Sequence, residues 1–128
     1  MTPSSHGSTF GMNPVCCAGA LNIISRLDDN MLESVSKKNH IICRTLEGAE
    51  GIESVTGLGL MLGIKTKKPA AEVVAKCMEN GVLVITAKDK VRLLPPLNIP
   101  VEQLITALDV IIDACKQLEQ DMPLKGSD

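Results

Sequence analysis

Aromatic residues are nearly absent from this chain: Phe10 is its single Phe, and no Trp or Tyr occurs in 128 positions. A core must therefore be built from Leu, Ile, Val, Ala, Met and Cys, and hydrophobic residues do make up 45% of the sequence. The same shortage removes the stacking platforms that single-stranded nucleic acids use. There is no basic stripe either, since 13 Lys and Arg against 15 Asp and Glu leave a formal charge of −2. No nucleic-acid partner is expected. No apolar run approaches the roughly 20 residues of a membrane span, and the first residues lack the basic-then-apolar order of a secretory signal. No membrane partner is expected.

Five cysteines (Cys16, Cys17, Cys43, Cys77, Cys115) form an odd set without C-x-x-C spacing. Adjacent Cys16 and Cys17 suit one metal poorly, and four of the five lie on or beside apolar helical patterns, as small buried hydrophobes do. Neither a metal site nor a disulfide framework is expected, and the usage fits a reduced, cytoplasmic protein. The two histidines, His6 and His40, have no Ser, Cys or Asp set beside them to form a nucleophilic pair. Acidic pairs such as Asp28-Asp29 sit at bends or helix ends, where solvated carboxylates are ordinary. A self-contained catalytic apparatus is not visible.

What is present is an ordered α+β pattern in a chain of one domain, or part of one. Asn13-Pro14 opens a first helix with Cys17, Leu21, Ile24 and Met31 at helical spacing, bent or broken at Asp28-Asp29-Asn30. A second helix begins near Met31, with Leu32, Val35, Ile42, Leu46 and Ala49 along its apolar face, and closes between Gly48 and Gly51. From Val55 to Lys65 the period falls to two. Leu58, Leu60, Leu62 and Ile64 then share one face of a strand, and Gly57, Gly59 and Gly63 fall on the other with Met61. A glycine-lined strand face implies a close neighbour.

Pro69 opens a short helix with Ala70, Val73, Val74 and Cys77 inward, ended by Asn80-Gly81. Val82 to Ile85 reads as a continuous apolar strand, Lys88-Asp89-Lys90 as a charged turn, and Val91 to Leu94 as a returning strand stopped by Pro95-Pro96. A last helix starts at Pro100, with Leu104, Ile105, Leu108, Ile111, Ile112, Cys115 and Leu118 as its stripe. The expected fold is a small two-layer α+β unit, a three- to four-stranded, mostly antiparallel sheet covered by helices and preceded by a loop and long helices.

Two features carry chemistry. The run His6-Gly7-Ser8-Thr9-Phe10-Gly11-Met12-Asn13-Pro14 is a glycine-punctuated loop before a helix. Ser8 and Thr9 there offer hydroxyls and N–H donors of the kind that hold phosphates and carboxylates. It is equally readable as a helix-entry turn with incidental hydroxyls. Arg92 lies on the strand face opposite Val91 and Leu93. It suits either a carboxylate, of a substrate or of another domain, or a solvated position on a half-exposed strand.

The loop, Gly57-Leu58-Gly59-Leu60-Met61 with Gly63-Ile64, Gly81-Val82-Leu83-Val84, and Val91-Arg92-Leu93-Leu94-Pro95-Pro96-Leu97 together resemble the class III pyridoxal-phosphate-dependent aminotransferases. The acetylornithine aminotransferase branch is the most similar, and the match is to the C-terminal third of such an enzyme. The resemblance implies that residues 1–30 are a remnant of the large cofactor-binding domain, 31–122 the C-terminal small domain, and 123–128 a tail. It implies pyridoxal 5'-phosphate as cofactor, with Thr9 on its phosphate across a homodimer, Ser8 against cofactor and substrate, and Arg92 toward a substrate carboxylate or an acidic gate residue.

The implied reaction moves an amino group from acetylornithine to 2-oxoglutarate in arginine biosynthesis. The substrates would thus be a small-molecule amino donor and a 2-oxo acid. The family's Schiff-base lysine belongs to a segment preceding the His-Gly-Ser-Thr motif, and none of this chain's lysines has that setting, so the chain alone is expected to be inactive. Two alternatives stand beside this reading: a non-catalytic α+β interaction module derived from the family, and an enzyme acting on ornithine, succinylornithine or another ω-amino acid. Two departures from the pattern are Met12, in place of a second glycine after Phe-Gly, and Thr56, where arginine is common before Gly-Leu-Gly.

Overall fold

Asn13 sets the first helix. Its backbone is extended (φ −62°, ψ 126°), and its side-chain oxygen accepts from the Val15 and Cys16 amides at 3.0 and 3.3 Å. Pro14, whose missing N–H costs nothing in a first turn, opens α1 (Pro14–Ile24). The computed structural model describes residues 7–120. His6 and the expected tail at 123–128 lie outside the described residues. The chain divides into two units, Met1–Glu33 and Ser34–Asp128, each described by itself.

In the first unit α1 ends earlier than the Met31 spacing suggests. Arg26 and Leu27 donate to carbonyls three residues back, and Asp28 then accepts the Met31 amide at 2.8 Å. That carboxylate is a helix cap, so α2 (Asp29–Leu46) starts at the acidic cluster itself rather than after it. No α1 residue is buried. Cys16 and Cys17 are accordingly exposed, against the expectation of small buried hydrophobes.

The second unit contains the rest of α2, then β1 (Ile52–Leu58), β2 (Met61–Thr66), α3 (Ala70–Glu79), β3 (Ile85–Ala87), β4 (Lys90–Leu93) and α4 (Val101–Gln120). The four strands form one sheet in the order β1-β2-β4-β3, and every neighbouring pair is antiparallel. Ile42 and Leu46 of α2, Val73 and Cys77 of α3, and Leu104, Leu108, Ile111 and Cys115 of α4 join Leu62, Ile64, Val91 and Leu93 in one buried cluster. The α+β expectation holds, with helices on one face of a small sheet.

Three details depart from the sequence reading. The Val55–Lys65 run is a hairpin, not one strand. Leu58 pairs with Met61, and Gly59-Leu60 is the turn, with Gly59 at φ +56° as the first position of a type II′ turn favours. The glycines therefore do not line one face. Gly63 stays on the open side, Gly59 is in the turn, and Gly57 (φ +144°) pairs with Leu62 on the core side. Leu58, expected on one face with Leu62 and Ile64, is 89% exposed while those two are buried.

In the run Val82 to Ile85, only Ile85 joins the ladder. Val84 enters the core without a strand partner, and Leu83 points outward. In α4, Ile105 is exposed because the buried stripe runs through Leu104, Leu108, Ile111 and Cys115.

Among the described residues two polar side chains, Lys38 and Thr66, are buried, and both are satisfied. The Lys38 ammonium donates to the Leu97 carbonyl at 2.7 Å, and the Thr66 hydroxyl donates to the Lys68 carbonyl at 2.7 Å. Asn39 of α2 donates to the Gly59 carbonyl at 2.7 Å, and a Cβ on Gly59 would stand 3.4 Å from Val35. These bonds tie down the hairpin tip and the loop after β4, which lie at the same end of the sheet because Leu62, just past the tip, pairs with Leu93 at the end of β4.

Candidate functional site

The first candidate lies in the Met1–Glu33 unit. Ser8, Thr9, Phe10, Gly11 and Met12 are all exposed. The Gly11 amide donates to the Ser8 carbonyl at 3.4 Å, and the Asn13 amide donates to the Phe10 carbonyl at 3.1 Å, so two successive turns lead into α1. The Thr9 hydroxyl and the Thr9 and Phe10 amides make no hydrogen bond among the described residues. Three donors in adjacent residues are thus uncommitted ahead of a helix start, the donor set that a phosphate ester accepts. Met12 holds φ +62°, a backbone that glycine adopts without cost and a methionine does not. The turn keeps its shape through this departure and stores strain to do so.

The second candidate lies in the Ser34–Asp128 unit, on the sheet face away from the helices. Register places Thr56, Gly63, Arg92 and Ile85 in one row across β1, β2, β4 and β3. The alternation expected for β4 is found: Val91 and Leu93 are buried, and Arg92 is half-buried on the other face. Arg92 forms no ion pair or hydrogen bond among the described residues.

Lys90 was expected at a turn tip. It is instead the first residue of β4, the turn being carried by Lys88 at φ +58°. Its ammonium donates to the Thr56 hydroxyl at 2.9 Å, and that hydroxyl donates weakly to the Gly63 carbonyl at 3.4 Å. The lysine stem crosses Gly63, where an added Cβ would stand 3.1 Å from the lysine Cδ. Lys65, next along β2 on the same face, is paired with Glu53 at 3.5 Å. Leu58, Met61 and Ile85 add exposed apolar surface.

Sequence reasoning missed Lys90 as a member of this face. The signal was its spacing of two from Arg92, which puts both on one side of any strand that contains them. Ser8 and Thr9 share one turn, while Arg92 belongs to the other unit.

One concavity beside the sheet is a cleft of about 240 Å³ lined by Leu83, Leu93, Pro95, Leu104 and Ile111, among other apolar side chains. It has no charged group to orient a charged substrate. Among the cysteines, burial raises the Cys77 thiol and pushes Cys115 up to about 11 from an ordinary 9.0. For Cys115 the neighbouring Cys77 and Glu119 add to the burial effect. Both are inert core groups at neutral pH rather than nucleophiles. Among the described residues no helix is long and apolar enough to cross a membrane.

Comparison with protein-family models matches residues 1–115 to "Aminotransferase class-III". The chain belongs to the class III aminotransferases. Among curated relatives of this family, the acetylornithine aminotransferase of Haemophilus ducreyi is 38% identical over 120 residues, which is 92% of this chain and 30% of that protein. That of Archaeoglobus fulgidus is 37% identical over 110 residues, 84% of this chain and 28% of that one.

Among solved structures, the ornithine aminotransferase of Toxoplasma gondii superposes with a TM-score of 0.76 at 29% identity, covering 95% of this chain and 31% of that one. The acetylornithine aminotransferase of Elizabethkingia anophelis does so with a TM-score of 0.70 at 29% identity, covering 91% and 32%. A further T. gondii structure is described as having partial occupancy of PLP at its active site. This class III aminotransferase chain thus spans about 30% of the length of the curated relatives it matches.

Proposed function

We propose that the chain is the C-terminal part of a pyridoxal-phosphate-dependent transaminase that moves the amino group of acetylornithine to 2-oxoglutarate, in arginine biosynthesis. Residues 1–30 are then the remnant of the large domain, 31–122 the small domain and 123–128 a tail, in an enzyme that works as a cytoplasmic homodimer. The observation that carries this reading is Arg92, a guanidinium with no partner among the described residues, on the open face of a sheet whose other face is the core. A carboxylate is the natural complement of such a group. The amino donor is taken from the relatives named acetylornithine aminotransferase.

The uncommitted donors at Thr9 and Phe10 fit the phosphate of the cofactor. Thr9 would hold that phosphate through its hydroxyl, across the homodimer, and Ser8 would lie against cofactor and substrate. When bound, pyridoxal phosphate supplies the electron sink for amino-group exchange. The chain's own contribution is to hold the phosphate at Thr9 and a substrate carboxylate at Arg92. The chain supplies no lysine for covalent attachment of the cofactor.

Two measurements on the chain test this. Titration with sodium butyrate should move the Arg92 side-chain N–H resonance saturably and leave Arg44 and Arg26 unmoved; equal movement of all three refutes the carboxylate role. Borohydride reduction in the presence of pyridoxal phosphate should leave no stoichiometric pyridoxyl label on one lysine, and such a label would refute the division of labour.

A further inference from the structure

We infer that the open cleft lined by Lys67, Lys68 and Lys88 is an anion site that takes a diphosphate group. It lies wholly in the Ser34–Asp128 unit and is independent of the roles proposed for Thr9 and Arg92. The cleft has a volume of about 580 Å³, with walls from β1, the end of β2, the start of α3 and the β3–β4 turn. Four of the chain's 13 basic residues line it, although the chain as a whole carries a net charge of −2. Lys65 is neutralised by Glu53 at 3.5 Å. Lys67, Lys68 and Lys88 form no ion pair among the described residues, and the other carboxylate on the lining is Asp89. A positive excess is thus left in a concave wall, where the field is focused and a compact anion gains most.

The three free cations are presented by fixed backbone. The Lys67 amide donates to the Gly51 carbonyl at 2.9 Å, and the Lys68 carbonyl accepts the buried Thr66 hydroxyl at 2.7 Å. The link that carries both lysines is therefore ordered before any ligand arrives, which lowers the entropy cost of binding. Lys88 holds φ +58° in a two-residue turn closed by the Ala87–Lys90 pair. Glycine is the residue that adopts this backbone without steric cost, so the lysine is there at the expense of the turn and contributes only its side chain.

The lining also limits what the ligand can be. Apart from the charged residues it offers two threonines, Pro69, Ala70 and Ala71. No aromatic ring is present to stack a base, and no long apolar side chain to hold an acyl or ring body. Recognition is by charge, and three ammonium groups complement the paired phosphates of a diphosphate, free or at the end of a larger molecule.

The test uses the whole chain, ¹⁵N-labelled and titrated at constant ionic strength with inorganic pyrophosphate, with sulfate and with ADP. Pyrophosphate should move the Lys67, Lys68, Thr86 and Lys88 amides along one saturable curve and bind about fivefold more tightly than sulfate, the ratio one further exposed ion pair supplies. ADP binding within about twofold of pyrophosphate assigns the site to the diphosphate of a larger molecule, and weaker ADP binding assigns it to the free anion. Lys88→Gly removes the charge and relieves the turn, so pyrophosphate should bind about three- to fivefold more weakly while the urea midpoint holds or rises. Asp89→Asn should tighten pyrophosphate about twofold. Lys116→Gln, an exposed lysine of α4 outside the cleft, should leave its affinity unchanged. The inference is overturned if pyrophosphate moves no cleft amide saturably or binds no more tightly than sulfate. It is equally overturned if Lys116→Gln loses as much affinity as Lys88→Gly, because net charge alone would then explain the binding.

Discussion

Gly57 and Gly63 lie in one short glycine-rich segment, and the hairpin register gives them opposite fates on substitution by alanine. At Gly57 the backbone sits at φ +144°, where an alanine costs on the order of 1–3 kcal/mol. A Cβ there would also run into the Met61 carbonyl oxygen and stand 2.9 Å from the Leu62 Cα, both parts of the paired strand. Backbone of a hydrogen-bonded ladder does not yield cheaply, so the total loss should reach at least about 3 kcal/mol.

At Gly63 the nearest atom to an added Cβ is the Lys90 Cδ at 3.1 Å, part of a flexible stem that swings aside. Removing a glycine from a strand interior returns roughly 0.5–1 kcal/mol of chain entropy, which offsets that displacement. Gly63→Ala should thus stay within about 1 kcal/mol of the parent. Urea unfolding followed by circular dichroism, with equal slopes in the three proteins, should separate the variants by about 3 kcal/mol. Were the segment one continuous strand with its glycines on a common face, the two substitutions would cost alike. A difference below about 1 kcal/mol refutes the hairpin reading.

Other expectations follow from the same geometry. Asn13→Ala removes the acceptor of two α1 amides and should cost about 1 kcal/mol of local helix stability, whereas Met12→Gly should return a similar amount; α1 carbon chemical shifts report both. Amides of α1, which has no buried residue, should exchange far faster than those of Leu108 and Ile111 in α4. The Cys115 thiol is raised by folding, so above its unfolded value of 9.0 the unfolded chain sheds a proton that the folded one keeps. Stability should therefore fall as pH climbs from about 9 toward 11, and Cys115→Ser should flatten that slope in urea titrations. At pH 8 a thiol reagent should label Cys16 and Cys17 well before Cys77 and Cys115.

Much of this fold was legible because its helices announce themselves. Leu104, Leu108 and Ile111 recur at helical spacing, Asn13 precedes Pro14, and Pro69 and Asn80-Gly81 bracket α3. The β4 alternation gave Arg92 its face directly. The hairpin was hidden because Gly-Leu-Gly-Leu alternates as smoothly as a strand, and the turn at Gly59 is visible only through its positive φ and the Leu58–Met61 pairing. Apolar Val82-Leu83-Val84 was misread because a run of three apolar residues does not reveal which of them finds a partner strand. Lys90 escaped notice for a related reason: its setting depends on Thr56 and Gly63, which are distant in sequence and meet it only through the register of three strands.

The central claim is that Thr9 grips a cofactor phosphate and Arg92 a substrate carboxylate. A chimera in which this chain replaces the corresponding part of the Haemophilus ducreyi acetylornithine aminotransferase tests it most directly, with glutamate formation from acetylornithine and 2-oxoglutarate as the readout. The account predicts an active chimera. Thr9→Val should weaken pyridoxal phosphate about tenfold, the worth of one charge-assisted hydrogen bond, and Arg92→Met should lower kcat/KM about a hundredfold. A folded, cofactor-loaded chimera in which both substitutions leave these quantities unchanged would contradict it.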